Sequence, residues 1–161
     1  MSGSTGLRVL YVAIAAAVLA LDFWSKRWAV ARLRSGPDID VIDGLLRLTY
    51  AENPGIAFSF FNSGASVTRW ALASFSAVAA VTVVVFALRT SANARRMQTI
   101  YALLFAGIVG NLIDRVRTGR VVDFIDVYVS SYHWPTFNVA DSAITIGAVL
   151  LALELFFKQE D

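Results

Sequence analysis

Four apolar stretches set the frame of this chain, at about residues 7–28, 67–88, 97–113 and 138–157, each 17 to 22 residues long. A helix of roughly 20 residues covers the ~30 Å hydrocarbon core of a bilayer. Within hydrocarbon a backbone must satisfy its own hydrogen bonds, which runs of this length do as helices. The expectation is an all-α membrane protein, four transmembrane helices in a single domain over residues 1–161. Composition agrees, with 57% apolar residues, 16% charged and a mean hydropathy of +0.62.

Other classes fall away quickly. The net charge is +2 and no basic run is longer than the two residues of Arg95-Arg96, which gives no case for nucleic-acid binding. With no cysteine, disulfides, thiolate nucleophiles and Cys-based zinc sites are excluded, and the single histidine, His133, cannot build a His-rich metal site. Arg8 ahead of the apolar run Val9 to Leu21 imitates a secretory signal, but Asp22 and the Trp24 to Arg27 cluster follow without a small-x-small cleavage pattern. The first stretch is therefore read as an anchor.

Between the spans lie two long loops, 29–66 and 114–137. In the first, Asp43-Gly44 sits between Ile39-x-Val41 and Leu46-x-Leu48-x-Tyr50, where apolar residues alternate, and predicts a β-hairpin. Glu52-Asn53-Pro54-Gly55 supplies a second turn, and Ile56 to Phe61 is a short apolar piece expected to lie on the bilayer surface, as a cradle or short helix. Asp22 and Lys26, four apart, share a helix face where pairing lowers the cost of burying either charge. Gly107 and Gly110, with Ala102 and Ala106, give the third span a small-residue face for close helix approach. That is a packing signal, and through it Gly107 is counted among the positions that support a site.

Four spans put both termini on one side and both long loops on the other. The four tryptophans, Trp24, Trp28, Trp70 and Trp134, fall at span ends on the long-loop side, as an interfacial belt does. Orientation is contested by charge. The long-loop side carries Lys26, Arg27, Arg32, Arg34, Arg47, Arg69, Arg115, Arg117 and Arg120, against Arg8, Arg89, Arg95, Arg96 and Lys158 on the other. A positive-inside count alone makes the long loops cytoplasmic.

Chemistry concentrates between Gly110 and Ala143, where Asp114, Asp123, Asp126, Asp141, Asn111, Asn138 and Arg115 sit at the edges of apolar segments. Polar groups there are costly and read as functional. Asp123, in the loop before the fourth span, and Asp141, early within it, are 18 residues apart and are the candidate catalytic carboxylate pair. Two such groups brought together share a proton and provide an acid and a base at one pH. Asp126 competes for Asp123's role, and Asp114 is expected to be held by Arg115 or Lys26. Asn53, Asn111 and Asn138 offer amides that can hold a peptide backbone or an oxyanion. The plain alternatives are a solvated loop acid at 123, a helix-start acid favoured by the dipole at 141, and an interfacial loop residue at His133. A proton-coupled transporter or a non-catalytic scaffold are the rival classes, although no internal repeat supports a transport pathway.

These residues resemble a known family. Asn53-Pro-Gly-Ile-Ala-Phe-Ser, Gly110-Asn-Leu-Ile-Asp-Arg115, Val121-Val-Asp-Phe124 and Phe137-Asn-Val-Ala-Asp-Ser142 are similar, in order and spacing, to boxes of the lipoprotein signal peptidases, signal peptidase II. Leu21-Asp22 with Ser25-Lys26 resembles a further box, with Phe23 where glutamine is common. The resemblance implies an intramembrane aspartyl peptidase with its catalytic pair at Asp123 and Asp141. Asp22, Lys26, Asn53, Asn111, Asp114, Arg115 and Asn138 then support the site or bind substrate. The implied substrate is a prolipoprotein carrying diacylglycerol on its cysteine, cut on the amino side of that cysteine, with no metal or organic cofactor. Implied too are a monomer among membrane lipids in the bacterial inner membrane, long loops outside and both termini cytoplasmic, against the basic-residue count.

Overall fold

The computed structural model describes residues 2–55 and 65–157. Four helices, α1 (Ser2–Arg32), α2 (Ala65–Arg89), α3 (Arg95–Thr118) and α4 (Val139–Phe157), are each long and apolar enough to cross a membrane. Three of them outrun the apolar stretches that announce them. Hydropathy marks the hydrocarbon crossing, whereas a helix continues until something stops it. In α3 that stop is Gly119, five residues past Asp114, in the left-handed region at φ 80°, with its N–H on the Arg115 carbonyl at 3.0 Å. Asp114 and Arg115, expected at the boundary of a shorter span, are therefore on the last turns of a regular helix.

α3 is the central post, packed against each of the other three helices. Its small residues allow the approach. Ala106 is fully buried, and a Cβ on Gly107 would lie 2.4 Å from the Ala140 carbonyl oxygen on α4. Large apolar side chains on the outer faces of α2 and α4, such as Val81 and Leu155, are exposed as lipid-facing residues are. At the end of the bundle that carries the termini, Gln98 donates to the Ala87 and Thr90 carbonyls at 2.9 and 3.0 Å, closing the end of α2. Tyr11 of α1 bonds the Ala92 carbonyl of the same turn at 3.0 Å.

The other end carries an antiparallel four-stranded sheet in the order β1 (Ile39–Ile42), β2 (Leu46–Asn53), β3 (Val121–Val129), β4 (Tyr132–His133). The β1–β2 hairpin turns through Asp43-Gly44, with Gly44 at φ 74°. β2 runs on to Asn53, so the strand takes in the first two residues of the expected Glu52-Asn53-Pro54-Gly55 turn. The correction lies in residues 114–137, expected as loop. Val121–Val129 is one of the two inner strands of the sheet, pairing Ala51 with Asp123 and Asn53 with Val121 on one side and Tyr128 with His133 on the other. Its Val-Val-Asp-Phe-Ile-Asp order shows no clean alternation because residues on both faces are buried or half-buried, Phe124 packing onto Ala29 near the end of α1 and onto Leu33 just beyond it. The apolar piece Ile56 to Phe61, with its expected surface helix, lies outside the described residues.

Candidate active site

The site is assembled where β3 runs into α4. Phe137 makes an isolated bridge to Ile125, its carbonyl accepting the Phe124 and Ile125 amides at 3.0 and 2.9 Å. The next residue, Asn138, starts α4. Its side-chain oxygen accepts the Asp141 amide at 2.9 Å, while its own backbone N–H donates to the Asp141 carboxylate at 3.2 Å. This is a reciprocal capping box, Asn-x-x-Asp ahead of an apolar run, and it fixes the Asp141 rotamer. The signal is present in the sequence, where Asp141 is read as one of the candidate pair or as a helix-start acid favoured by the dipole and its reciprocal cap with Asn138 is missed.

Asn138 is fully buried and reaches both acids. Its side-chain amide donates to Asp123 Oδ1 at 2.7 Å and lies 3.3 Å from the Val122 carbonyl and from Asn111 Oδ1. Asp123 itself is 2% exposed on β3. Burial, and after it the charge of Asp141, push its carboxyl up to about 6, against the opposing hydrogen bonds from Asn138 and Asn53 and the charge of Lys26. Asn53, at the end of β2, also accepts the Gly55 amide at 2.9 Å.

Behind the acids lies a chain of buried polar groups. Asn111 donates to Asp141 Oδ1 at 2.7 Å and accepts from Lys26 Nζ at 3.0 Å. An ammonium only donates, so Lys26 dictates which end of the Asn111 amide faces it and leaves the NH₂ end for Asp141. Lys26 also pairs with Asp22 at 2.8 Å and lies 2.9 Å from Asp114 Oδ2, an ion contact that leaves this buried oxygen without a hydrogen bond. Asp22 in turn accepts the Ala140 amide at 2.9 Å, satisfying an unpaired N–H in the first turn of α4 from a different helix. Gly110 makes room for this, since a Cβ there would sit 2.7 Å from Asp22 Oδ2. Arg115 bonds the Asn111 carbonyl at 3.4 Å and presents its charge to both Asp123 and Asp141.

Asp126, the competitor for Asp123's role, is occupied elsewhere. It is buried between Arg47, at 2.7 Å, and His133, at 2.9 Å, and touches none of the Asn138 network. Burial favours its neutral form, but the bonds from His133 and Arg47 outweigh that and hold its carboxyl below the usual range. His133, expected as a loop residue, is instead the strand partner that pins β4, stacked on Tyr128. No local sequence signal joins Arg47 to an acid 79 residues away.

Asp141, Asn111 and Arg115 line a cleft of about 850 Å³ between α2, α3 and α4, whose other walls include Leu72, Phe75 and Ile108. Polar groups on the wall of a largely apolar cleft suit a substrate with a polar reacting bond and a greasy remainder.

Comparison with known proteins points the same way. The family model for signal peptidase (SPase) II matches residues 14–157. The chain is 42% identical over 155 residues to the lipoprotein signal peptidase of Yersinia pseudotuberculosis serotype O:1b (strain IP 31758), covering 96% of this chain and 90% of that one. It is 36% identical over 154 residues to that of Syntrophus aciditrophicus (strain SB), covering 95% and 96%. Two solved bacterial membrane enzyme structures obtained by the in meso method are similar, with TM-scores of 0.81 and 0.78 at 35% and 32% identity. They cover 91% and 93% of this chain and 92% and 89% of their own. With the family model and its relatives extending over the four helices, the sheet and the polar network between them, this chain belongs to the lipoprotein signal peptidase (signal peptidase II) family, whose members remove the signal peptides of lipoproteins.

Proposed function

We propose that Asp123 and Asp141 are the catalytic pair of an aspartic peptidase that cleaves diacylglyceryl-modified prolipoproteins on the amino side of the lipidated cysteine. The observation that carries this reading is Asn138, one buried side chain and its own N–H joining the two carboxylates at 2.7 and 3.2 Å. The acids differ in surroundings. Asp141 receives a donor on each oxygen in the first turn of a helix. Asp123 is buried with its carboxyl raised to about 6, which suits it to hold the shared proton.

A water between them then attacks the scissile carbonyl carbon, giving its proton to Asp141 while Asp123 protonates the carbonyl oxygen. The tetrahedral diol collapses as Asp141 returns its proton to the leaving amide nitrogen and a diol hydroxyl restores the proton on Asp123. Arg115 and the asparagine amides stabilise the charge that develops, and the lipid chains of the substrate occupy the cleft between α2, α3 and α4. The whole of residues 1–161 serves as one peptidase domain, with the site facing the outside of the inner membrane and both termini cytoplasmic. Several of the nine basic residues opposing that orientation hold partners within the fold. Lys26, Arg47 and Arg120 pair with acids, and Arg69 bonds the Arg115 and Val116 carbonyls.

The test is to incubate the purified chain with lipidated and unlipidated forms of one prolipoprotein. Cleavage of the lipidated form alone, lost in both Asp123→Asn and Asp141→Asn while each variant still inserts, is the expected result. Appreciable cleavage by either purified variant overturns the pair.

A further inference from the structure

A second groove lies on the far side of α3 from the cleft just described. It runs between α1 and α3, encloses about 660 Å³, and extends along α1 from Leu19 past Phe23 to Val30, with Ile113 on the opposite wall. Eleven residue steps of helix at 1.5 Å each make it about 17 Å long, from the apolar middle of the span to its interfacial end. Two exposed arginines, Arg27 and Arg117, line the interfacial end. Among the described residues neither has a carboxylate within ion-pair reach, and Arg27 meets only the Phe23 ring, at 5.5 Å.

The groove also touches Asp22, Lys26 and Asp114, which together carry one negative charge. Asp22 and Lys26 are buried against each other and Asp114 is mostly covered on Lys26, whereas both arginines are exposed, so the charge that an arriving headgroup meets first is that of the two arginines. We propose that this groove binds an anionic phospholipid of the surrounding bilayer, one acyl chain along the apolar wall and the phosphodiester on Arg27 and Arg117. A guanidinium offers paired donors that match phosphate oxygens. A headgroup with its own ammonium cancels that attraction, and a neutral diacylglyceryl group offers nothing to it, which separates this occupant from the proposed substrate. Each interfacial arginine contributes about fivefold in affinity for an anionic lipid and the pair about thirtyfold.

The experiment is native mass spectrometry of the full chain, released from detergent with phosphatidylglycerol and phosphatidylcholine of identical acyl chains in competition. Bound phosphatidylglycerol is expected in excess by about thirtyfold. The preference should disappear in Arg27→Gln/Arg117→Gln and persist in Arg32→Gln/Arg89→Gln, which removes the same charge from outside the groove. Equal loss in both double variants reduces the effect to general surface charge and overturns the proposal, as does an unselective parent chain. Competition by glycerol phosphate as strong as that of the lipid also overturns it, because the acyl groove then has no part. The readout is binding, so it stands or falls separately from peptide cleavage.

Discussion

Replacing Asn138 by serine separates the two tasks this residue performs. Serine is as good an N-cap as asparagine, so the Asp141 amide keeps its acceptor and α4 keeps its start. What disappears is the side-chain amide that donates to Asp123 at 2.7 Å. A hydrogen bond to a charged group contributes about 1.5–3 kcal/mol, and each 1.36 kcal/mol corresponds to about one pKa unit. The lost bond favoured the ionised carboxyl, so its removal raises Asp123 further from a starting value of about 6. The expected displacement is roughly 1–2 units upward. If protonated Asp123 is the acid of the reaction, the alkaline limb of kcat/KM reports its ionisation in the free enzyme. The assay is therefore kcat/KM against pH for the parent and Asn138→Ser, on a lipidated peptide with a fluorescent reporter. The limb should move to higher pH by roughly 1–2 units even as peak activity drops. A limb that stays in place, or one that moves to lower pH, refutes the assignment of the shared proton to Asp123.

Two further outcomes test the surrounding structure. Lys26→Met leaves Asp22 and Asp114 without their counter-charge and frees the Asn111 amide to turn. Breaking a buried pair from one side costs about 3–5 kcal/mol, so a marked fall in melting temperature in detergent is expected, whereas an unchanged melting temperature contradicts the described network. Asp126→Asn tests the clamp between β3, Arg47 and His133. Because the folded state holds this carboxyl below its usual range, its stabilisation is present above the unfolded pKa and fades as pH falls through the folded value. The variant should be less stable than the parent near neutrality and approach it in acid, and a gap that widens in acid speaks against the clamp.

The helices were legible because hydrocarbon imposes one solution on a long apolar run, and the β1–β2 hairpin because Asp43-Gly44 can adopt the turn that few other pairs tolerate. Asp22 with Lys26 was legible for a similar reason, since a four-residue spacing on a helix is itself a contact. Where a residue's role depends on what arrives from far along the chain, the sequence is mute. Val121–Val129 passed for loop because it is covered on both faces and so carries no alternation. Asp126 looked interchangeable with Asp123 because only the fold brings Arg47 to one and Asn138 to the other. Lys26's hold on the Asn111 amide spans 85 positions and leaves no periodic trace.

The joint at Phe137 has a consequence for how this molecule tolerates its surroundings. Because the strand bearing one acid is stitched to the residue that launches the helix bearing the other, the gap between the two is governed by a short, self-bonded piece of backbone. Helices can tilt or slide as a bilayer thins or a detergent replaces it, and that piece travels with α4 as a single part. Such disturbances reshape the lipid-accepting walls first, so a poor solubilising agent should weaken substrate capture well before it blunts the cutting step.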